Sequence, residues 1–323
     1  MEQLLDIKNL NVDFSLRDKT LRAVRDVSLT VGKGERLGIV GESGAGKSVL
    51  GFSIINLISK PGKITGGEIF FDGKDISKSS YEEMRKIRGD RISMIFQDPM
   101  MTLNPVLTIG TQMKETILAH MKVTDKEAEA ICLDKLKKVY IPSPEKRLKQ
   151  YPHEFSGGMR QRIVIAISLL TNPSLIIADE PTTALDVTIQ AEIMDLLLEL
   201  CETENMGLIL ITHDLAVVSE VTQRIAVLYA GRIVEIGPTK QIIEHPQHPY
   251  TQGLLQALPQ MAGGAKRLNQ IPGMMPSLFN MPDGCPFEPR CLDKLEKCKH
   301  DIPTLRELEN GAQVACFSRD GGE

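Results

Sequence analysis

With 323 residues and a net charge of −4, the chain has room for one large domain plus an appendage and no basic field arguing for nucleic acid. Apolar residues make up 42% and charged residues 25%, a globular balance, and no apolar run approaches the roughly 18–20 residues that span a bilayer. Met1-Glu2-Gln3-Leu4-Leu5-Asp6 lacks the basic and apolar regions of a signal peptide, so a cytosolic address is expected unless another chain holds the protein at a membrane.

Residues 4–14 and 21–31 alternate apolar and polar positions around Arg17-Asp18-Lys19-Thr20, the pattern of an antiparallel hairpin. Arg36-Leu37-Gly38-Ile39-Val40 reads as a short buried parallel strand, and Ser48 to Ile55 as a helix. Between them stands Gly41-Glu42-Ser43-Gly44-Ala45-Gly46-Lys47-Ser48, followed by Val49, in the pattern G-x-x-x-x-G-K-S. Its glycines let several amide dipoles and a helix N-terminus converge on one anion. Lys47 supplies a mobile charge for the β- and γ-phosphates, and the Ser48 hydroxyl a site on Mg²⁺. A nucleoside triphosphate site, with ATP and Mg²⁺, is expected.

Glu68-Ile69-Phe70-Phe71 reads as a strand turning at Asp72-Gly73, Tyr81 to Arg88 as a short charged helix, and Arg91 to Phe96 as a strand ending at Gln97. Thr108 to Tyr140 turns helical, with a capping box at Thr124 and Glu127; Ala128, Cys132, Leu136 and Val139 follow at helical spacing, which makes Cys132 a packing residue. Alternation then resumes in helix 158–170, strand 174–178, helix 188–204 with Cys201 on its apolar stripe, and strands 208–212, 224–229 and 232–236. This pitch predicts an α/β fold: a mostly parallel sheet with flanking helices, an antiparallel β subdomain and a helical subdomain inserted at about 98–160. Past Gly237 the composition shifts to Pro, His, Gly and Met, so the main domain is drawn as 1–260 and a C-terminal cysteine-containing extension as 261–323.

Leu175-Ile176-Ile177-Ala178-Asp179-Glu180 is an apolar strand ending in two carboxylates. Asp179 is placed to hold the metal, and Glu180 to face the water that attacks the γ-phosphate. Phe155-Ser156-Gly157-Gly158 opens a second helix, Ser156 as N-cap, with amides bare to an anion. A head-to-tail dimer, in which this end completes the partner's site, would use both helix N-termini.

The phosphate loop, Gln97, Ser156-Gly157-Gly158, Asp179-Glu180, Ala184-Leu185-Asp186 and His213 occur in the order of an ABC-transporter ATPase subunit, which the chain resembles over roughly residues 1–260. The resemblance implies that Gln97 senses the γ-phosphate and Mg²⁺, that Ser156, Gly157 and Gly158 form the signature, and that Asp186 lies in a dimer-contacting loop. It makes His213 the switch histidine and Phe14 the candidate adenine-stacking aromatic. Phe155 stands where Leu is usual.

His248-Pro249-Tyr250-Thr251, Ile271-Pro272-Gly273 and Gly284-Cys285-Pro286-Phe287-Glu288-Pro289-Arg290-Cys291 resemble the extension of dipeptide and oligopeptide importer ATPases, this chain looking like the first of their two ATPase subunits. Cys285, Cys291, Cys298 and Cys316 are spaced C-x5-C-x6-C-x17-C. In a cytosolic chain that set fits a four-thiolate metal site; with no close C-x2-C pair it suits a 4Fe–4S cluster, with zinc or free thiols as alternatives. The resemblance also implies the cluster. Its expected role is structural, in folding residues 260–323, so that replacing one cysteine destabilises the tail and leaves nucleotide binding by the core largely unchanged.

The reading is an ATP-hydrolysing subunit of a peptide importer, peripheral on the cytoplasmic face of the membrane. Its implied partners are a second ATPase subunit or a second copy, two transmembrane permease subunits and an extracytoplasmic peptide-binding protein, with no nucleic acid. The same motor for nickel or glycans is the near alternative. An iron–sulfur module that carries an ATPase is another. A soluble ABC ATPase of repair or translation is remote, because the chain has neither very long heptad segments nor a second cassette.

Overall fold

The first two strands form because buried and exposed side chains alternate along them. β1 (Gln3–Ser15) buries Leu5, Ile7, Leu10 and Val12, and β2 (Thr20–Gly32) buries Val24, Val27, Leu29 and Val31. The computed structural model describes residues 2–17, 19–183, 185–258, 271–309 and 311–319. The expected 260/261 boundary, like Asp18 in the expected turn and Ala184, lies outside them.

Along the chain follow β3 (Arg36–Val40), α1 (Lys47–Ile54), β4 (Gly62–Phe71), β5 (Lys74–Asp75), α2 (Tyr81–Ile87), β6 (Ile92–Ile95) and α3 (Pro99–Thr102). Next come α4 (Ile109–His120), α5 (Asp125–Lys138), α6 (Pro144–Arg147), α7 (Gly157–Ser168), β7 (Leu175–Asp179), α8 (Val187–Thr203) and β8 (Gly207–Thr212). The rest is α9 (Leu215–Val221), β9 (Arg224–Tyr229), β10 (Arg232–Pro238), α10 (Thr239–Glu244), α11 (Pro249–Gln256), β11 (Arg306–Glu307) and β12 (Gln313–Val314). Strand–helix alternation is thus as the sequence predicts.

The chain divides into two compact units. One comprises 78–209 with 32–35; the other comprises 2–31, 36–77 and 210–323. In the first, β6 and β7 pair in parallel, Ile95 opposite Ala178, so their carboxyl ends lie side by side. The stretch expected to be helical from Thr108 divides into α4 and α5, because Thr124 and Glu127 form a capping box that starts a new helix. Ala128, Cys132, Leu136 and Val139 are all fully buried, and burial pushes the Cys132 thiol up to about 11.

In the second unit, β2, β1, β4 and β5 form a four-stranded sheet in that order, β1 and β4 antiparallel. β4 starts earlier than its apolar core predicts, since its Gly62-Lys63-Ile64 segment pairs backbone to backbone with Val12, Asp13 and Phe14. β3 pairs in parallel with β9, and β9 in antiparallel with β10. The C-terminal extension contributes β12, antiparallel to β10, and β11 outside it, two strands too short to be read from the sequence.

Candidate functional site

β3 is buried from Leu37 to Val40 and delivers the chain into the phosphate loop. Gly46 has φ +99° and caps α1; a Cβ there would lie 2.6 Å from the Ala23 carbonyl oxygen, so only glycine fits. The Gly231 N–H donates to the Ala45 carbonyl at 2.8 Å, fixing the loop's inner limb, while Ser43 and Gly44 stay exposed at its crest. Lys47 is 5% exposed, and its ammonium donates to the carbonyls of Gly41 (2.8 Å) and Glu42 (3.1 Å). Its positive charge is therefore held in place under the loop, with Ser48 and Val49 half-buried in the first turn of α1.

The loop is also gripped by α11 and by the C-terminal extension. The Arg290 guanidinium donates to both Glu42 carboxylate oxygens, at 2.6 and 3.0 Å, and the Tyr250 hydroxyl accepts the Glu42 N–H at 2.8 Å. The cysteine-bearing tail, whose loss of a cysteine is expected to leave nucleotide binding largely unchanged, thus reaches the nucleotide loop through Arg290. Residues 248 positions apart give no local sequence signal of such a contact.

In the other unit, Asp179 closes β7 at 4% exposure. Glu180 follows at φ +46°, the left-handed region that a non-glycine residue enters only under constraint. Its carboxylate accepts from the Gln97 side-chain amide at 3.1 Å and from the Thr183 hydroxyl at 2.9 Å. Gln97 arrives there because β6 runs parallel to β7, so the sheet register brings together two residues 83 apart.

Ser156 caps α7, its hydroxyl accepting the Met159 N–H at 3.4 Å, and is exposed. A Cβ at Gly158 would meet Ile189 of α8 at 2.8 Å, so the opening of α7 lies tight on the start of α8. Asp186 caps α8, its carboxylate accepting the Ile189 N–H at 3.2 Å. His213 is exposed at the end of β8, ahead of Asp214, which caps α9. The Phe14 ring is half-buried against Gly62 of β4, where a Cβ would come within 2.6 Å of it.

Cys285, Cys291, Cys298 and Cys316 line one small cavity, walled also by Phe287, Pro303 and Phe317. None of the four is in a disulfide. Burial pushes the Cys285 thiol up to about 11, with Cys298 and Cys316 adding to the shift. Among the described residues no group of three or more His, Cys, Asp or Glu is arranged to hold a metal ion. The four thiols line that space together with His248, Glu288 and Asp293, and soft sulfur donors are of the type that Fe–S clusters and zinc take.

Residues 24–183 match the family described as ABC transporter, and residues 234–298 the one described as Oligopeptide/dipeptide transporter, C-terminal region. The chain is 50% identical over 321 residues to the dipeptide transport ATP-binding protein DppD of Bacillus subtilis, covering 99% of this chain and 96% of that one. It is 47% identical over 317 residues to the oligopeptide transport ATP-binding protein OppD of Haemophilus influenzae, covering 98% of each. Among solved structures, the dimeric post-hydrolysis state of the ATP-binding cassette MJ0796 bound to ADP and Pi matches with a TM-score of 0.66 and 29% identity, over 73% of this chain and 99% of that one.

Proposed function

The chain belongs to the ABC transporter family, in its group of dipeptide and oligopeptide import ATP-binding proteins, and on that premise we propose that it hydrolyses ATP to drive peptide import. It works in this reading with a second, homologous ATPase subunit or a second copy, two permease subunits and an extracytoplasmic peptide-binding protein. Residues 1–260 form the ATPase domain and 261–323 the extension. No helix among the described residues is long and apolar enough to cross a membrane, so attachment to the cytoplasmic face comes through the permeases.

The observation that carries the hydrolytic reading is the Glu180 carboxylate, set by a left-handed backbone and held by Gln97 and Thr183. A carboxylate fixed in this way is suited to take a proton from water as it attacks the γ-phosphate. Lys47 and the amides of Gly44 to Ser48 hold the phosphates, Ser156-Gly157-Gly158 serves the partner's nucleotide, and His213 reads the γ-phosphate. Asp186 shapes the dimer contact from its cap on α8, and Phe14 stacks the adenine. The Ser48 hydroxyl and the carboxylate of Asp179 are hard oxygen donors that fit Mg²⁺, with the Gln97 side chain as a further contact. When bound, Mg²⁺ neutralises charge on the phosphate oxygens.

Reconstitution with the partner subunits tests the whole: ATP hydrolysis should rise with a peptide-loaded binding protein, and a rate indifferent to peptide would reject the import reading. A narrower test is Lys47→Ala. It removes the charge but leaves the cradle, and ATP affinity is expected to fall by about tenfold or more, the loss of a charge-assisted hydrogen bond. Unchanged ATP titration of that variant would take the phosphates away from this loop.

For the cysteine cavity the reading is a 4Fe–4S cluster on Cys285, Cys291, Cys298 and Cys316, with zinc as the competing occupant. Four thiols on one cavity support it, and the group would supply a cross-link that orders the extension. Protein isolated without air should contain iron and acid-labile sulfide in equal amounts. One zinc per chain and no sulfide would replace the cluster by a four-cysteine zinc site.

A further inference from the structure

The extension's two family-marking motifs have an arrangement that a remote structural appendage does not need. In His248-Pro249-Tyr250-Thr251, His248 caps α11, its Nδ1 accepting the Tyr250 N–H at 3.0 Å. Burial drives this imidazole's pKa down to about 3, so it stays a neutral acceptor at physiological pH. The cap sets the angle at which Tyr250 leaves the helix, and the buried Tyr250 hydroxyl reaches the Glu42 N–H. In the second motif Arg290 directly precedes Cys291. Its side chain is 3% exposed and forks onto the Glu42 carboxylate, while its Nε donates to the Pro272 carbonyl at 2.9 Å. Between the two hands lies a ring cluster: Tyr229 meets Tyr250 edge-on at 4.6 Å and Phe287 at 5.2 Å, and the guanidinium sits 5.9 Å over Tyr229.

Glu42 is therefore held at its backbone N–H and at its carboxylate, while its carbonyl accepts from the Lys47 ammonium. One loop residue is fixed at three groups, and the third is the residue that carries the phosphate-binding charge. A bidentate pair between a buried guanidinium and a half-buried carboxylate sets position and angle together, which one surface lysine could not do.

We propose that Arg290 and Tyr250 are positioning residues for the phosphate loop, so that the C-terminal extension, together with α11, holds Glu42 and presets Lys47 for the nucleotide. The proposal rests on the reading that this loop binds ATP. Preorganisation of this kind raises affinity by removing the cost of ordering the loop on binding. It also ties nucleotide affinity to the order of the chain around Cys285 and Cys291.

The test uses the purified full chain, isolated without air, with ATP titrated calorimetrically and amide exchange followed by mass spectrometry. Arg290→Lys keeps a charge but loses the fork, and ATP affinity should fall about tenfold. Tyr250→Phe removes one hydroxyl without unpairing the buried guanidinium, and should weaken affinity severalfold. In both, faster exchange should be confined to residues 41–48, with the melting temperature of the remainder unmoved; a merely structural role would not give that pattern. The double variant Arg290→Lys with Glu42→Gln should be no weaker than the worse single variant, because both break one contact. Affinities within about twofold of the parent in folded Arg290→Lys and Tyr250→Phe, or losses that add in the double variant, would overturn the proposal. Lys47→Ala run alongside separates the two readings. If it weakens ATP and the extension variants do not, the grip fails alone; if it has no effect, the loop reading fails and the grip with it.

Discussion

Glu180→Gln is expected to bind ATP as the parent does and to hydrolyse it about a hundred- to ten-thousandfold more slowly, the range lost with a positioned general base. The substitution is close to a pure chemical deletion here. The Gln97 amide and the Thr183 hydroxyl both donate to one carboxylate oxygen, Oε2, and the new side chain's carbonyl oxygen can take both bonds. The left-handed backbone at 180 is unaffected by replacing an oxygen with a nitrogen. What disappears is the ability to accept a proton, so ATP should accumulate in an unhydrolysed, closed dimer. Single-turnover hydrolysis measured beside ATP binding checks this, and turnover at the parent rate would remove Glu180 from the role of base.

Ser156→Arg is expected to abolish hydrolysis in the assembled transporter while ATP binding to the isolated chain stays at the parent level. The Ser156 hydroxyl is exposed and caps a twelve-residue helix, so a structural effect has to be separated from a functional one. Ser156→Ala makes that separation: it removes the cap, at a cost of about 1 kcal/mol of stability, but leaves the amides of Gly157 and Gly158 open. The Arg variant instead puts a long side chain where a partner's triphosphate would approach. The rate in the Ala variant should therefore fall much less than in the Arg variant. Equal losses in the two, or weakened binding by the isolated chain, would make this stretch a helix cap and nothing more.

Local chemistry makes most of the fold legible in the sequence. The Thr124 and Glu127 box, the Ser156 cap, the Asp72-Gly73 turn and the carboxylates ending β7 are each encoded within four or five neighbouring residues. Short helices such as α3 and α6 were not legible, since four residues carry no periodicity. The candidate site divides the same way. Its motifs could be found by type and spacing, but the bond between Gln97 and Glu180 depends on sheet register, and the Arg290 grip on tertiary packing. His248 and Tyr250 showed only as a resemblance in the sequence; their physical work is a helix cap and a hydroxyl aimed at a distant amide.

The short pairing of β12 with β10 has a consequence for how the protein behaves in concentrated solution. β10 would otherwise end its sheet with a row of open backbone donors and acceptors, a template onto which another chain's strand can add. It is covered by Gln313 and Val314 and by the Ala315 N–H on the Val234 carbonyl at 2.9 Å, immediately before Cys316. So short a cover holds only while its downstream anchor is in place, and that anchor is a wall of the cysteine cavity. Oxidation of the thiols should thus appear as turbidity, with strands of neighbouring molecules joining edge to edge, alongside the loss of ATP affinity that a loosened Arg290 brings.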